Sequence, residues 1–542
     1  MMLQTAGKER AMYDPDTDLA LEKLPIGIQA FETLRGQGYL YVDKTRWVHR
    51  LVTQGMFYFL ARPRRFGKSL LVSTLKCLFE GRRELFDGLW IAAPGRWEWQ
   101  PHPVVVLDFN QITHDTPEHL RLGLARGLDR IAGTYQLTLN EPLLEGRFVE
   151  LVLGLQRATG QPVVVLIDEY DKPLIDYLGQ GEPGLAVARA NRAILRSFYG
   201  VLKGNDVARV LRFVFLTGVS RFSRVSIFSE LNNLYDLSMD DACADMLGYT
   251  QEELETRFAA HSAALARYLD WTVAAVQAKL MQQYDGYRFA RRDVRVYNPF
   301  SILNAFHAQE FGNYWFVSGT PTFLVNLLKQ EQYDLLNLDE LEVSQALFTT
   351  FELDQLQPEA LLFQTGYLTI KDVHDRLYTL GYPNQEVKTA LSESLLYAVG
   401  EGIQKRASSQ VLQLTRHLQR EDLPAFFEAM TAIFASIPAT LAGQRDEAYF
   451  HTIFYLALTA SGADALSELL TNRGRIDLAV HFPDKVYVVE FKCNQDAAAA
   501  LAQIRAKGYA ERYRARGKRV ILLGINFSTA LRNVAEWTVA ED

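Results

Sequence analysis

The chain has 542 residues, 48% of them apolar and 22% charged, with a formal net charge of −7. That length exceeds what one hydrophobic core serves, so about three domains of about 150 residues each are expected. The composition is that of an ordinary folded protein, and the acidic balance excludes a uniformly basic surface, so any nucleic-acid contact must be local.

The first 25 residues are polar and acidic, with no signal-type apolar run. No stretch of about 18 apolar residues occurs, so no membrane span is expected. Cys77, Cys243 and Cys493 lie far apart. They give neither zinc spacing nor a disulfide framework, and a cytoplasmic location is the expectation.

The first third alternates short apolar runs with helical patterns. "FYFLA" (Phe57–Ala61) reads as a strand, followed by "RPRRFGKS" and a helix in which Leu71, Leu75, Leu78 and Phe79 recur at helical spacing. Gly67, Lys68 and Ser69 complete the end of a GxxxxGK[ST] phosphate-binding loop, but Arg62 stands where the first glycine belongs. Backbone N–H groups at such a helix start can surround phosphates. Lys68 would then reach the β- and γ-phosphates and Ser69 would ligate Mg²⁺.

"VVVLDF" (Val104–Phe109) is a second strand. "VVVLIDEYDKPL" opens with a third and ends it in Asp168 and Glu169. Asp168 is placed beside Mg²⁺ and Glu169 on the attacking water. "LRFVFLTG" (Leu211–Gly218) is a fourth. Thr217 at its tip could sense a γ-phosphate, and Arg221 and Arg224 beyond could do so by charge or could be solvated residues of a surface loop. "GVSRF" is not a nucleophile elbow, since Phe222 replaces its second glycine. Continuous apolar strands joined by helices predict a parallel sheet covered on both faces, over residues 1–237. Residues 238–400 read as mainly helical with aromatic patches, and residues 401–542 as a second, smaller α/β unit.

"YVDKT", "RPRRFGKS", "LIDEYDKPL", "FLTGVSRFSRVSIFSELNNL", "YWFVSGTP" and "LLFQTGYLTI" together resemble the prokaryotic AAA-ATPase-like proteins, which usually carry a C-terminal PD-(D/E)XK nuclease domain. The resemblance spans most of the chain. It implies an α/β fold with a P-loop AAA+/STAND-like ATPase core, a helical lid over 238–400 and a restriction-endonuclease-like C-terminal domain. It also makes Arg62 a regular feature of the loop. Arg62, Arg64 and Arg65 are then expected either to contact phosphate or to link the nucleotide's state to a neighbouring domain or subunit. An arginine supplied in trans would require a homo-oligomer, with Arg64, Arg65 and Arg221 as unranked candidates.

In the tail, "GRIDLAVHF" carries Asp477, and one turn and one strand later "VYVVEFK" carries Glu490 and Lys492. Residues two apart in a strand share a face, so Glu490 and Lys492 point together while Phe491 goes to the core. Asp477 and Glu490 are hard oxygen ligands for Mg²⁺, and Lys492 can stabilise charge developing on a phosphate. This D…ExK arrangement resembles the core of the PD-(D/E)XK superfamily, although Ile476 stands where that family has proline. By the same resemblance Glu447 matches its first-helix acid, and Gln503 and Tyr509 match its QxxxY-type helix motif. Arg505, Lys507, Arg512, Arg514, Arg516, Lys518 and Arg519 form a local basic cluster suited to a DNA backbone. The histidines, among them His102, His114 and His451, show no ligand spacing.

The sequence therefore points to an ATPase coupled to an Mg²⁺-dependent nuclease acting on DNA. The alternative is a nucleotide-dependent, oligomerising switch that binds nucleic acid or protein without cutting.

Overall fold

The computed structural model describes residues 21–221, 231, 233–317, 324, 327–328, 336, 338–348, 357–399, 405–437, 446–471, 474–514 and 517–541. Arg224 and Arg516 lie outside the described residues, as does the side chain of Arg512.

The N-terminal sheet comprises β1 (Phe57–Ala61), β2 (Val104–Asp108), β3 (Val163–Asp168), β4 (Leu211–Gly218) and β5 (Tyr235–Asp236). It is parallel throughout, in the order β2-β3-β4-β1-β5. Every residue of β3 is buried, as expected when both faces of a strand are covered. Alternate residues feed two cores. Tyr58, Leu60, Val164 and Leu166 pack with Leu71, Leu75 and Leu78 of the loop helix Lys68–Phe79. Phe59, Val105, Val165 and Ile167 pack with Leu124, Phe148 and Phe198 of the helices on the other face. Since β4 lies between β1 and β3, the loop after β1 and the acids ending β3 flank the tip of β4.

The middle segment contains helices, as its pattern predicts, but also a small antiparallel sheet that the pattern did not reveal. Its strands β6 (Leu341–Ser344), β7 (Thr369–His374) and β8 (Leu377–Gly381) run in the order β6-β8-β7. "LLFQTGYLTI" divides because Gly366, at φ +90°, ends the helix Pro358–Thr365 and lets the chain turn into β7.

The C-terminal sheet has the order β13-β12-β11-β10-β9, built from β9 (Asp464–Thr471), β10 (Gly474–His481), β11 (Lys485–Cys493), β12 (Arg519–Ser528) and β13 (Asn533–Glu541). Only β11 and β12 pair in parallel. A parallel pair needs a crossover, and the flanking helix Ala497–Lys507 supplies it, burying Ile504 against Val486, Val488 and Leu522. The entry helix Glu447–Ala460 covers the opposite face, with Phe450 and Phe454 against Phe491 and Phe527. A further helix, Gln385–Val399, packs along the entry helix. It bridges the middle segment to this domain, and one hydrophobic cluster runs unbroken from Phe31 to Phe527.

Among the described residues no helix is long and apolar enough to cross a membrane. All three cysteines are free thiols.

Candidate active sites

The phosphate-type loop curls through left-handed backbone at Arg65 (φ +69°) and Gly67 (φ +91°). The loop helix then starts with no side chain capping its first N–H groups, which leaves them available to an anion. The Lys68 ammonium, 4% exposed, rests 3.3 Å from the Pro63 carbonyl and 3.5 Å from Glu169 Oε1. Ser69 hydrogen-bonds the Asp168 carboxylate, so the two oxygens expected on Mg²⁺ already meet. Burial, with the neighbouring Glu169, pushes Asp168 up to about 6 despite Ser69 and Lys68. Glu169 itself sits at φ +51°, a conformation a non-glycine residue adopts only when its surroundings impose it. The structure therefore gathers Lys68, Ser69, Asp168 and Glu169. Thr217 lies at the tip between them, but its hydroxyl is spent on the Leu60 carbonyl at 2.7 Å.

The arginines divide. Arg62 is turned away from the loop's open side. It is 2% exposed, its guanidinium donates to the carbonyls of Ala61, Ser238 and Cys243, and it stacks 4.4 Å over the Phe289 ring. Burial lowers it to about 10. Arg221 is likewise buried, with Nε 3.1 Å from Asp236 Oδ2. Each places a buried charge against oxygens of the fold, Arg62 on the carbonyls of Ser238 and Cys243 and Arg221 on the Asp236 carboxylate. Arg64 and Arg65 are exposed, Arg65 lying 4.8 Å over Phe300.

In the tail, Asp477 Oδ2 accepts the Phe491 N–H at 2.8 Å, which holds the carboxylate of β10 against β11. Glu490 is 1% exposed. One of its oxygens accepts from the Gln503 amide, and Lys492 stands 3.7 Å from that oxygen. The other oxygen, Oε2, is buried and has no hydrogen-bond partner among the described residues. Burial, then the Asp477 charge, pushes Glu490 up to about 8, and Glu447 adds to the same effect. A buried carboxylate oxygen without a donor beside a second carboxylate fits a cation. Lys492 Nζ donates to the Phe491 carbonyl at 2.9 Å.

Glu447 is exposed in the first turn of the entry helix. Gln503 links the site to Tyr509, with which it hydrogen-bonds. Tyr509 is 2% exposed and packs with Ile504 in the core of this domain. Lys507 ends the flanking helix and is exposed. The basic cluster is only partly displayed: Lys518 is bound to the Phe482 carbonyl, and Arg519 pairs with Glu421 and Glu541. Among the described residues no three His, Cys, Asp or Glu side chains stand close enough to hold a metal by themselves.

Residues 25–228 match the family model "Predicted AAA-ATPase", and residues 445–537 match the PD-(D/E)XK nuclease superfamily. A protein of Azotobacter chroococcum mcd 1, named only as an uncharacterized protein in the vnfD 5' region, is 40% identical over 546 residues. The match covers 96% of this chain and 99% of that one. The chain is a predicted AAA-ATPase with a PD-(D/E)XK nuclease-superfamily domain.

In this AAA-ATPase the site includes residues that sequence reasoning passed over. Asp108 ends β2 directly opposite Asp168 in register and raises it further. "VVVLD" has the same form as the "VVVLID" that revealed Asp168, so the signal was present. Asp171 is fully buried and accepts from the Val219 and Ser220 N–H groups and the Ser220 hydroxyl. It fixes the exit from β4, where a Cβ at Gly218 would fall 2.3 Å from its carboxylate. The ATPase loop is also held from the middle segment. Phe66 is buried against Tyr287 and Phe289, and the Arg221 N–H donates to Gln364 at 2.9 Å.

Proposed function

We propose that the protein is an ATP-dependent, Mg²⁺-dependent nuclease that hydrolyses DNA phosphodiesters. The observation that carries this reading is Glu490 Oε2, a buried carboxylate oxygen with no donor among the described residues, beside Asp477 and Lys492. Asp477 and Glu490 would hold the metal, with Glu447 nearest in the entry helix. Bound there, Mg²⁺ would polarise the scissile phosphate and acidify a water. Lys492 contributes charge to the reacting phosphate, and Gln503 holds Glu490 in place. At the loop, Lys68 would neutralise the β- and γ-phosphates, Ser69 and Asp168 would hold Mg²⁺, and Glu169 would orient water. The Lys68–Glu169 pair must separate for both roles.

The test incubates wild type, Glu490→Gln and Lys68→Ala with linear and plasmid DNA, Mg²⁺ and ATP. Wild type is expected to cut, Glu490→Gln to leave DNA intact, and Lys68→Ala to lose the response to ATP. Intact DNA with wild type across metals and nucleotides sinks the nuclease reading. One observation favours the alternative, a switch that binds without cutting: the described acids do not form a ready three-ligand metal set. DNA retention without cleavage by wild type would select it.

The pairing of the two domains is the ground for placing the activity in cytoplasmic defence against foreign DNA. Loss of phage protection in Glu490→Gln cells tests that. A homo-oligomer, with Arg64 or Arg65 supplied in trans, is read by sedimentation with and without nucleotide.

A further inference from the structure

One of the middle segment's contacts with the phosphate loop is a hydrogen bond to its backbone. The Trp315 indole N–H donates to the Arg64 carbonyl at 3.1 Å. In a trans peptide the carbonyl and the following N–H point in opposite directions, so a fixed Arg64 carbonyl also fixes the direction of the Arg65 N–H. That amide belongs to the left-handed Arg65, in the stretch where backbone N–H groups line an anion hollow. The indole is itself seated. Its backbone N–H donates to Glu386 Oε1 at 2.8 Å, and the Ser301 hydroxyl donates to Glu386 Oε2 at 2.7 Å. Pro63, on the same loop, packs on Gly366, where a Cβ would lie 2.7 Å from the proline ring and 3.3 Å from the indole.

Glu386 lies in the first turn of the bridging helix and is fully buried. Two residues on, at ~200° around a helix, Lys388 faces the other way. Its ammonium donates to the Ala465 carbonyl of β9 at 2.9 Å and to Asp339. β9 is hydrogen-bonded along its length to β10, the strand of Asp477. One helical turn thus holds the phosphate loop by one face and the nuclease sheet by the other.

We propose that Trp315 and Glu386 are positioning residues for the phosphate loop, and that Lys388 transmits a change in that loop to the β9–β10 hairpin bearing Asp477. The proposal rests on the ATP-dependent nuclease reading for its purpose but not for its test. It is carried by contiguous hydrogen bonds on the two faces of a single helical turn.

The test uses the full chain and a fluorescent ATP analogue with Mg²⁺. Trp315→Phe keeps most of the ring and removes the N–H, and is expected to weaken analogue binding about three- to tenfold, as for one lost hydrogen bond. Glu386→Gln should shift affinity in the same direction. Affinities within twofold of wild type for both variants overturn the positioning role.

Hydrogen exchange of β9 and β10 reads the transmission without any cleavage assay. In wild type, adding the analogue should change exchange there. In Lys388→Met the analogue should bind as in wild type but leave exchange unchanged, and Lys388→Arg should restore the response. No nucleotide-linked change in wild type, or a full response in Lys388→Met, overturns the transmission. Circular dichroism confirms that each variant is folded. If wild type shows the response but never cuts DNA, the nuclease reading fails and this inference stands.

Discussion

A carboxyl group deprived of water holds its proton longer, and Glu386, away from both candidate sites' acids, is such a case. Burial pushes it up to about 7 from its ordinary 4.5, although the Trp315 N–H and the Ser301 hydroxyl pull it down. Between about 4.5 and 7 the folded chain holds a proton that the unfolded chain releases, so stability falls as pH rises through that window. Glu386→Gln has nothing to ionise. Its stability relative to wild type should therefore improve from pH 5 to pH 8, whatever its constant offset from the altered hydrogen bonds. Thermal melts at the two pH values check this, and a gap that does not move with pH would show that Glu386 is ionised throughout.

At the scale of elements, the loop depends on packing it does not itself supply. Phe66 is 1% exposed, with ring centroids 4.8 Å from Tyr287 and 5.2 Å from Phe289, both edge-on. Phe66→Ala should cost about 3–5 kcal/mol and should also loosen the loop, lowering nucleotide affinity. Chemical denaturation and an analogue titration measure the two effects, and unchanged affinity would reduce Phe66 to core filling.

The same distinction explains what the sequence disclosed. Strands β1 to β4, the GKS turn, the acids after "VVVLI" and the Glu490–Lys492 pair follow from local period and chemistry, and the structure brings their side chains together. Edge strands β9 and β13 escaped notice. "DALSELLT" reads as a continuation of the preceding helix, and "NVAEWTVAE" is a half-exposed strand of mixed polarity without strict alternation. Arg62 and Arg221 could not be placed from pattern alone. Two of the three carbonyls that receive Arg62 lie 176 and 181 residues away, a distance that no periodicity reports. Trp315 and Gly366 did fall within motifs of evident character, "YWFVSGTP" and "LLFQTGYLTI". Their partners across the fold, which give them their roles, did not.

At the scale of the whole molecule, the two family matches leave residues 229–444 between them, and that interval is not a tether. Its bridging helix lies against the entry helix of the nuclease domain, and the apolar cluster passes through it without a break. Chains ordinarily exchange parts where few contacts cross. Here a tail borrowed from a relative from residue 401 onward would arrive without the helix it was fitted to. A tail borrowed from residue 384 onward would bring that helix with it. Of two such hybrids made with the Azotobacter protein, the longer graft should be the more soluble and the higher-melting. The unit of inheritance for the nuclease would then begin some sixty residues before its family signature, inside what the sequence presents as the lid.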